Sequence, residues 1–183
     1  MNYRDDRHPA PGQLLNGIVV GHVLSCRGSE AHVGLVRATV PDQPRATVGR
    51  FVALKHRHGC SVGMISEISA NAAAFGSVQD CYAVATVDLM GEIAFAADGG
   101  VRFDRGVHEY PAINDGVEML DRETLQFIYS SFSGHPMQLG EIHRDGVVPT
   151  CLDADSLLSK HFAILGSTGV GKSSGTTVIL DEM

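Results

Sequence analysis

Residues 161–183 read HFAILGSTGVGKSSGTTVILDEM, and this stretch determines one part of the fold. Its middle, residues 166–173, matches the pattern G-x-x-x-x-G-K-[ST] of the phosphate-binding P-loop, also called Walker A. The apolar run 162–165 predicts a buried strand before the loop, and residues 172–183 predict a helix after it. Strand, glycine-rich loop and helix therefore follow one another in the order that a P-loop requires.

The residue types in this loop suit the binding of a nucleotide. Glycine has no Cβ, so the backbone can wrap closely around a phosphate, and the N-terminus of the following helix attracts the anion. Lys172 is predicted to contact the β- and γ-phosphates as the catalytic residue, and Ser173 to offer its hydroxyl to Mg²⁺. The predicted cofactors are ATP and Mg²⁺. The predicted nucleotide-binding residues are Gly166, Ser167, Thr168, Gly169, Val170, Gly171, Lys172, Ser173 and Ser174.

Composition narrows the class of protein. Of the residues, 44% are hydrophobic, which is ordinary for a globular protein with a core. The net charge is −7, so the surface as a whole is not expected to attract nucleic acid. The polar start contains no signal peptide and no apolar run is long enough to span a membrane, which predicts a cytoplasmic protein without a membrane partner. Cys26, Cys60, Cys81 and Cys151 are widely spaced, which favours buried free thiols.

The first half of the chain has the pattern of a β-rich domain. Residues 1–13 are charged and aperiodic, which predicts a flexible tail. Alternating apolar residues then predict short strands at 17–26, 31–39, 48–55, 60–68 and 81–95. In the last of these, Val87, Leu89, Ile93 and Phe95 are predicted to share one face, with a bend or bulge at Gly91. Short strands separated by glycine turns indicate a small closed barrel or a sandwich.

The second half of the chain is less regular before the loop. Residues 101–120 are mixed, with no assigned structure. Asp121 is predicted to cap a helix that ends near Gly134 and Pro136. Two strands are predicted at 137–142 and 147–152, followed by a short helical turn at 153–160.

Other polar residues have competing interpretations. His56, His58 and Cys60 would lie on one side of a strand and could ligate a metal, or they could belong to a solvent-facing hairpin turn. His22 and His32 are predicted to serve packing or an interface, and Asp88 and Glu92 to be solvated. The mixed charges at 104–109, namely Asp104, Arg105, His108 and Glu109, indicate a solvated loop or an intersubunit or nucleotide-edge contact.

Taken together, these stretches resemble one family, the HerA-type hexameric DNA translocases. The resemblance runs from about residue 15 to the end of the sequence. The matching stretches are 21–29 (GHVLSCRGS), 48–52 (VGRFV), 62–68 (VGMISEI), 103–106 (FDRG) with Tyr110 and Pro111, 145–149 (DGVVP) and 161–173.

The resemblance implies a fold and a function. The fold is mainly β: a small β-barrel of the HerA and ATP synthase type at 14–112, a connecting segment at 113–145, and the first strand, P-loop and helix of an α/β RecA-like ATPase domain at 146–183. The implied function is an ATP-dependent double-stranded DNA translocase or helicase that acts in DNA-end processing or repair. The implied partners are identical subunits in a hexamer, a NurA-type nuclease docked on the barrel, and duplex DNA.

Two further expectations complete the prediction. Neither the acidic Walker B strand nor an arginine finger is present up to Met183, so the chain as given is expected not to hydrolyse ATP. The alternative function is a non-catalytic assembly barrel from another P-loop machine, such as an ATPase of the conjugation or secretion type.

Overall fold

A computed structural model describes residues 14–37, 43–70, 81–95, 100–130, 136–142 and 148–182. The chain divides into two units. The first, Met1–Thr124, is called the barrel unit below, and the second, Leu125–Met183, the C-terminal unit. The division lies within the segment 113–145 that the sequence predicts to be a connection.

The barrel unit is built from antiparallel strands. In the described residues, six strands close on themselves in the order β2-β1-β7-β3-β4-β5, because β5 also pairs with β2. A further strand, β6, pairs with the end of β5. The mainly β fold with a small barrel is thus confirmed. The strands are β1 Val19–Arg27, β2 Glu30–Val36, β3 Phe51–His56, β4 Gly59–Ser69, β5 Cys81–Phe95, β6 Val101–Arg105 and β7 Gly116–Met119.

The barrel interior holds one apolar cluster. Valine, isoleucine and leucine dominate it, and their branched side chains pack well on pleated strands. Removing this apolar surface from water is the main force that closes the barrel. Its large fully buried members are Val23, Val33, Leu35, Val52, Leu54, Ile65, Val87 and Val117.

A bulge in β5 alters the predicted faces. Val62 pairs with Gly91 and the next residue of β4 pairs with Leu89, so Met90 is an extra residue in β5. The predicted bend at Gly91 is confirmed. The prediction that Ile93 and Phe95 share a face with Val87 and Leu89 is wrong, because an extra residue moves the side chains that follow it to the opposite face. Ile93 is buried outside the apolar cluster, and Phe95 is 38% exposed.

The sequence interpretation missed β6 and β7. Both lie within residues 101–120, for which the sequence pattern predicts no element. Strand β7 has only four residues, too few to show a clear alternation of apolar and polar side chains. The pairings that define β7 are non-local: Val117 pairs with Gly21 on one side and with Leu54 on the other. Such pairing partners cannot be deduced from local alternation.

The C-terminal unit contains a hairpin and two helices. Strands β8 (Pro136–Ile142) and β9 (Val148–Asp153) pair antiparallel, and the helices α2 (Ala154–Leu158) and α3 (Lys172–Asp181) follow. These strands and helices confirm the elements predicted there. None of the described helices is long and apolar enough to cross a membrane.

Helix α1 (Arg122–Ser130) crosses the division between the two units. Its predicted cap is confirmed, since the backbone N–H of Thr124 donates to the carboxylate of Asp121 at 2.7 Å. The helix is described as far as Ser130. The predicted end at Gly134 lies outside the described residues, and Pro136 begins β8.

One predicted strand is wrong. Residues 162–165 form no ladder, and Phe162, Ile164 and Leu165 are exposed. A strand exists only where its N–H and C=O groups pair with a neighbouring strand. The apolar run has the composition of a buried parallel strand, but no other strand pairs with it in the described part of the chain.

Candidate nucleotide-binding site

The glycine-rich loop, residues 166–171, makes a sharp turn before α3. Gly169 and Gly171 have φ of 83° and 90°. These left-handed angles are strained for residues with a Cβ, so the two glycines meet a backbone requirement. At Gly166 the requirement is space, because a Cβ at that position would lie 2.7 Å from Cγ1 of Val170. All three predicted glycines therefore have a steric reason to be glycine.

Lys172 folds back onto the loop. Its Nζ donates to the carbonyl oxygen of Gly166 at 2.8 Å and to that of Ser167 at 2.6 Å. These contacts place the ammonium inside the curve of the loop. A lysine at this point is a compact, movable positive charge.

Helix α3 begins directly after the loop. Gly171 is its N-cap and provides no side-chain hydrogen bond, and the N–H of Gly175 makes the first helical bond, to the carbonyl of Gly171 at 2.9 Å. The N–H groups of residues 172–174 consequently have no intrahelical acceptor. Lys172 is the only Lys, Arg, Asp or Glu in residues 161–180. The helix N-terminus and this lysine make the site locally positive.

The nine predicted residues lie together in sequence and space. Residues 166–171 form the loop, and Lys172, Ser173 and Ser174 form the first turn of α3. All are exposed except the half-buried Lys172. The groups that face solvent here are backbone donors, hydroxyls and one ammonium, which are the groups that bind phosphate and Mg²⁺.

Two threonines that were not predicted support the first turn of α3. Thr176 Oγ1 donates to the carbonyl of Lys172 at 3.0 Å, and Thr177 Oγ1 donates to that of Ser173 at 3.1 Å. Threonine hydroxyls commonly return to the carbonyl four residues earlier in a helix. The four-residue spacing from Lys172 to Thr176 and from Ser173 to Thr177 could have indicated these bonds from the sequence.

The candidate metal cluster does not assemble as predicted. His56 and His58 both approach the carboxylate of Glu109, with Nδ1–Oε2 distances of 3.4 and 3.1 Å. Cys60 is buried, and burial raises the pKa of its thiol to about 12. Residues 57–58 form a turn, which breaks the alternation that would align the three side chains. Among the described residues, no three His, Cys, Asp or Glu are arranged to hold a metal ion.

Glu92 was predicted to be solvated, and this is wrong. It is 8% exposed, and its carboxylate accepts hydrogen bonds from the N–H groups of His108 and Glu109. Burial by itself raises the pKa of Glu92, but these two N–H groups and the ring of His108 outweigh that effect. The net result is a pKa below the ordinary glutamate value. Local alternation could not predict these contacts, because the donors lie on another segment of the chain.

The remaining charged and thiol groups have ordinary surroundings. Arg102 Nε donates to Asp104 at 2.6 Å on the surface of β6. His32 Nδ1 lies 3.1 Å from the hydroxyl of Ser25. The four cysteines are free, as predicted, but only Cys60 is fully buried. Cys26, Cys81 and Cys151 are partly buried.

Comparison with known proteins agrees with the resemblance seen in the sequence. Residues 137–183, which contain the loop and α3, match the family model described as "Helicase HerA, central domain". In this part the chain is similar to HerA-type helicases. The match covers the C-terminal part of the chain, which includes the glycine-rich loop.

Two proteins of Methanocaldococcus jannaschii are similar to the chain. "Probable DNA double-strand break repair helicase HerA" is 37% identical over 70 residues, which are 38% of this chain and 14% of that protein. "Probable helicase MJ1565" is 32% identical over 103 residues, which are 56% of this chain and 19% of that protein. The chain thus spans less than a fifth of the length of these two relatives.

Proposed function

We propose that the chain binds Mg²⁺–ATP at residues 166–174 and is part of an ATP-dependent translocase or helicase that acts on double-stranded DNA. The observation that carries this proposal is the glycine-rich loop itself. Two left-handed glycines lead directly into the N-terminus of α3, and Lys172 lies inside the curve. The relationship to HerA-type helicases supports the choice of ATP and DNA over other phosphate ligands.

Each residue has a defined role in this proposal. The N–H groups of the loop and of the first turn of α3 bind the phosphate oxygens. On binding, the ammonium of Lys172 leaves the carbonyls of Gly166 and Ser167 and contacts the β- and γ-phosphates. The hydroxyl of Ser173 reaches Mg²⁺. The hydroxyls of Thr176 and Thr177 are engaged by the carbonyls of residues 172 and 173 and have no direct role in binding.

The wider proposal concerns the whole protein. We propose that the barrel holds identical subunits together in a hexameric ring and docks a NurA-type nuclease, and that the ring acts in DNA-end processing or repair. Support comes from the closed barrel and from the relative named as a probable DNA double-strand break repair helicase. The non-catalytic barrel of another P-loop machine is the alternative.

The test of nucleotide binding compares two lysines in one unit. Lys172→Ala removes the ammonium from the loop, whereas Lys160→Ala removes an exposed ammonium that precedes the loop. A hydrogen bond to a charged group contributes about 1.5–3 kcal/mol. We therefore expect Lys172→Ala to weaken Mg²⁺–ATP binding, measured by isothermal titration calorimetry, by about 10- to 100-fold. Lys160→Ala should bind like the unchanged chain.

Two outcomes would count against the proposal. Equal affinities of the two variants would show that nucleotide does not bind at the loop. For the motor function, the ATPase rate of the whole protein should rise on addition of duplex DNA. An ATPase rate that duplex DNA leaves unchanged would favour the alternative machine while leaving the nucleotide site intact.

A further inference from the structure

A segment of the barrel unit that contains neither strand nor helix is fastened mainly through carboxylates. Residues 106–111, called the strap below, leave the end of β6 and run towards β7. Two of its bonds involve no carboxylate: the N–H of Gly106 donates to the carbonyl of Met90, and the hydroxyl of Ser61 donates to the carbonyl of Glu109. The other attachments described for the strap pass through Glu92 or Glu109.

Glu92 holds the strap from the barrel side. Its Oε2 accepts the N–H of His108 at 2.8 Å and that of Glu109 at 3.2 Å, and its Oε1 lies 3.0 Å from Nδ1 of His108. Three donors therefore converge on one nearly buried carboxylate. Hydrogen bonds to an ionised acceptor are about twice as strong as those between neutral groups.

Glu109 holds the strap from the other side. Its carboxylate lies 3.1 Å from Nδ1 of His58, in the β3–β4 turn, and 3.4 Å from Nδ1 of His56, at the end of β3. The backbone of Glu109 thus faces Glu92, while its side chain faces two imidazoles. Because neighbouring strap residues contact both carboxylates, losing the negative charge of either would weaken the attachment.

We propose that the strap is an acid-released element, held on the barrel by the ionised carboxylates of Glu92 and Glu109 and freed when Glu92 is protonated, while the barrel core stays folded. The apolar cluster inside the barrel contains no titratable side chain apart from the thiol of the partly buried Cys26 that packs against it. Acid consequently acts on the strap before it acts on the core. A freed strap would uncover the barrel surface against which Pro111 is now buried.

The direction of the pH effect follows from Glu92. A carboxyl whose pKa is lowered in the folded protein adds stability above its ordinary pKa, about 4.3, and loses it as the pH falls through the lower folded value. Release is therefore expected in the acid range, below about pH 4. The titratable or charged groups on the elements around the strap are Lys55 and His56 on β3, Arg57 and His58 in the turn, Cys60 and Glu67 on β4, Cys81, Tyr82, Asp88 and Glu92 on β5, Arg102, Asp104 and Arg105 on β6, His108, Glu109 and Tyr110 on the strap, and Glu118 on β7.

The test measures amide hydrogen exchange by NMR at several pH values, after correction for intrinsic exchange rates. The N–H groups of His108 and Glu109 donate to Glu92, whereas the N–H of Asn114 donates to the backbone carbonyl of Val23 at 2.8 Å. Asn114 is therefore an internal control on the same connection. Protection of His108 and Glu109 should fall by up to about tenfold per pH unit between the ordinary glutamate pKa and the lower folded pKa of Glu92, and should level off below the folded pKa. Protection of Asn114 and of the core amides should persist.

Variants separate the two carboxylates. Glu92→Gln keeps an oxygen that can accept the two N–H groups but removes the charge, so it should lower the protection of both strap amides at pH 7 and abolish its pH dependence. Glu109→Gln should keep the acid release, since the bonds to Glu92 remain. As a second measurement, Tyr110→Trp places one indole on the strap of a chain that has no tryptophan, so its emission reports the strap alone. This variant tests release even if Glu92→Gln does not fold.

Two results would overturn the proposal. One is protection of the His108 and Glu109 amides that does not change with pH in the acid range, or that keeps the same pH dependence in Glu92→Gln. The other is loss of protection in the strap and in the core at the same pH, with the indole emission changing together with the β-sheet circular dichroism.

Discussion

Leu54 and Leu165 are the same side chain in two different situations. Leu54, in the barrel, is fully buried, whereas Leu165, just before the glycine-rich loop, is 88% exposed. The same difference in burial separates the two regions as a whole. The barrel encloses an apolar cluster, but no residue of α3 is buried and the apolar residues at 162–165 are largely exposed.

The comparison separates two uses of sequence. In the barrel, the apolar residues and glycines such as Gly59 are required by packing, because a neighbouring strand lies against them. Around the loop, the glycines and Lys172 are required by local backbone geometry and by the chemistry proposed for the site. Stability and nucleotide binding should therefore respond to different substitutions. Three matched pairs of variants test that separation.

The largest difference is expected between the two leucines. Leu54→Ala should lower the free energy of unfolding by about 2–5 kcal/mol, because it removes apolar contacts and leaves a cavity. Leu165→Ala should change it by less than about 0.5 kcal/mol, since the side chain is already in water. Urea unfolding followed by β-sheet circular dichroism measures both. A comparable loss in the two variants would mean that residues 162–165 pack as tightly as the barrel.

A smaller difference is expected between Gly59 and Gly175. A Cβ at Gly59 would collide with the backbone carbonyl of Ile93 on the paired strand, whereas a Cβ at Gly175 meets nothing within 4 Å. Gly59→Ala should cost about 1–3 kcal/mol, as overpacking does. Gly175→Ala should raise the helix content of α3, because alanine is favoured over glycine by about 0.5–1 kcal/mol inside a helix.

Urea unfolding measures the first of these variants, and helical circular dichroism measures the second. Unchanged stability of Gly59→Ala would show that β4 and β5 can separate locally. A helix signal from Gly175→Ala that falls would indicate that this glycine serves a close contact.

The smallest difference is expected between two glycines with left-handed backbones. Gly28, in the turn between β1 and β2, has φ of 59°, and Gly171 has φ of 90°. A Cβ would meet nothing within 4 Å at either position, so the backbone angle alone makes alanine unfavourable, by about 1–2 kcal/mol.

Gly28→Ala should lower the stability of the barrel by that amount in urea unfolding, and leave ATP binding unchanged in calorimetry. Gly171→Ala should leave the stability of the barrel unchanged and weaken ATP binding. Weaker ATP binding in Gly28→Ala would contradict the separation of the two roles.

Much of the barrel could be predicted because its strands alternate locally. The prediction for β5 has the same bounds as the strand, and those for β1 to β4 overlap the strands with shifted ends. Strand order, the closure between β2 and β5, and β7 were not predictable, since each depends on residues far apart in sequence. The bulge at Met90 shows the same limit: Gly91 marked a bend, but only the register with β4 shows which faces change.

The candidate site divides along similar lines. A contiguous motif marked the loop and the start of α3, and all nine predicted residues lie in these two elements. The pattern at 162–165 predicted a strand because it has a strand's composition, and composition carries no information about a pairing partner. Glu92 and the strap were missed for the opposite reason, because their contacts join segments that are separate in sequence.

Strand β7 has a consequence for synthesis of the protein. It is the last barrel strand in the chain, yet it lies between β1 and β3, two of the first three. Until residues 116–119 have emerged from the ribosome, β1 and β3 each present an unpaired edge, which can pair with another chain. The barrel can thus close only after residues 116–119 have been translated, and a nascent chain paused earlier is expected to need protection from aggregation.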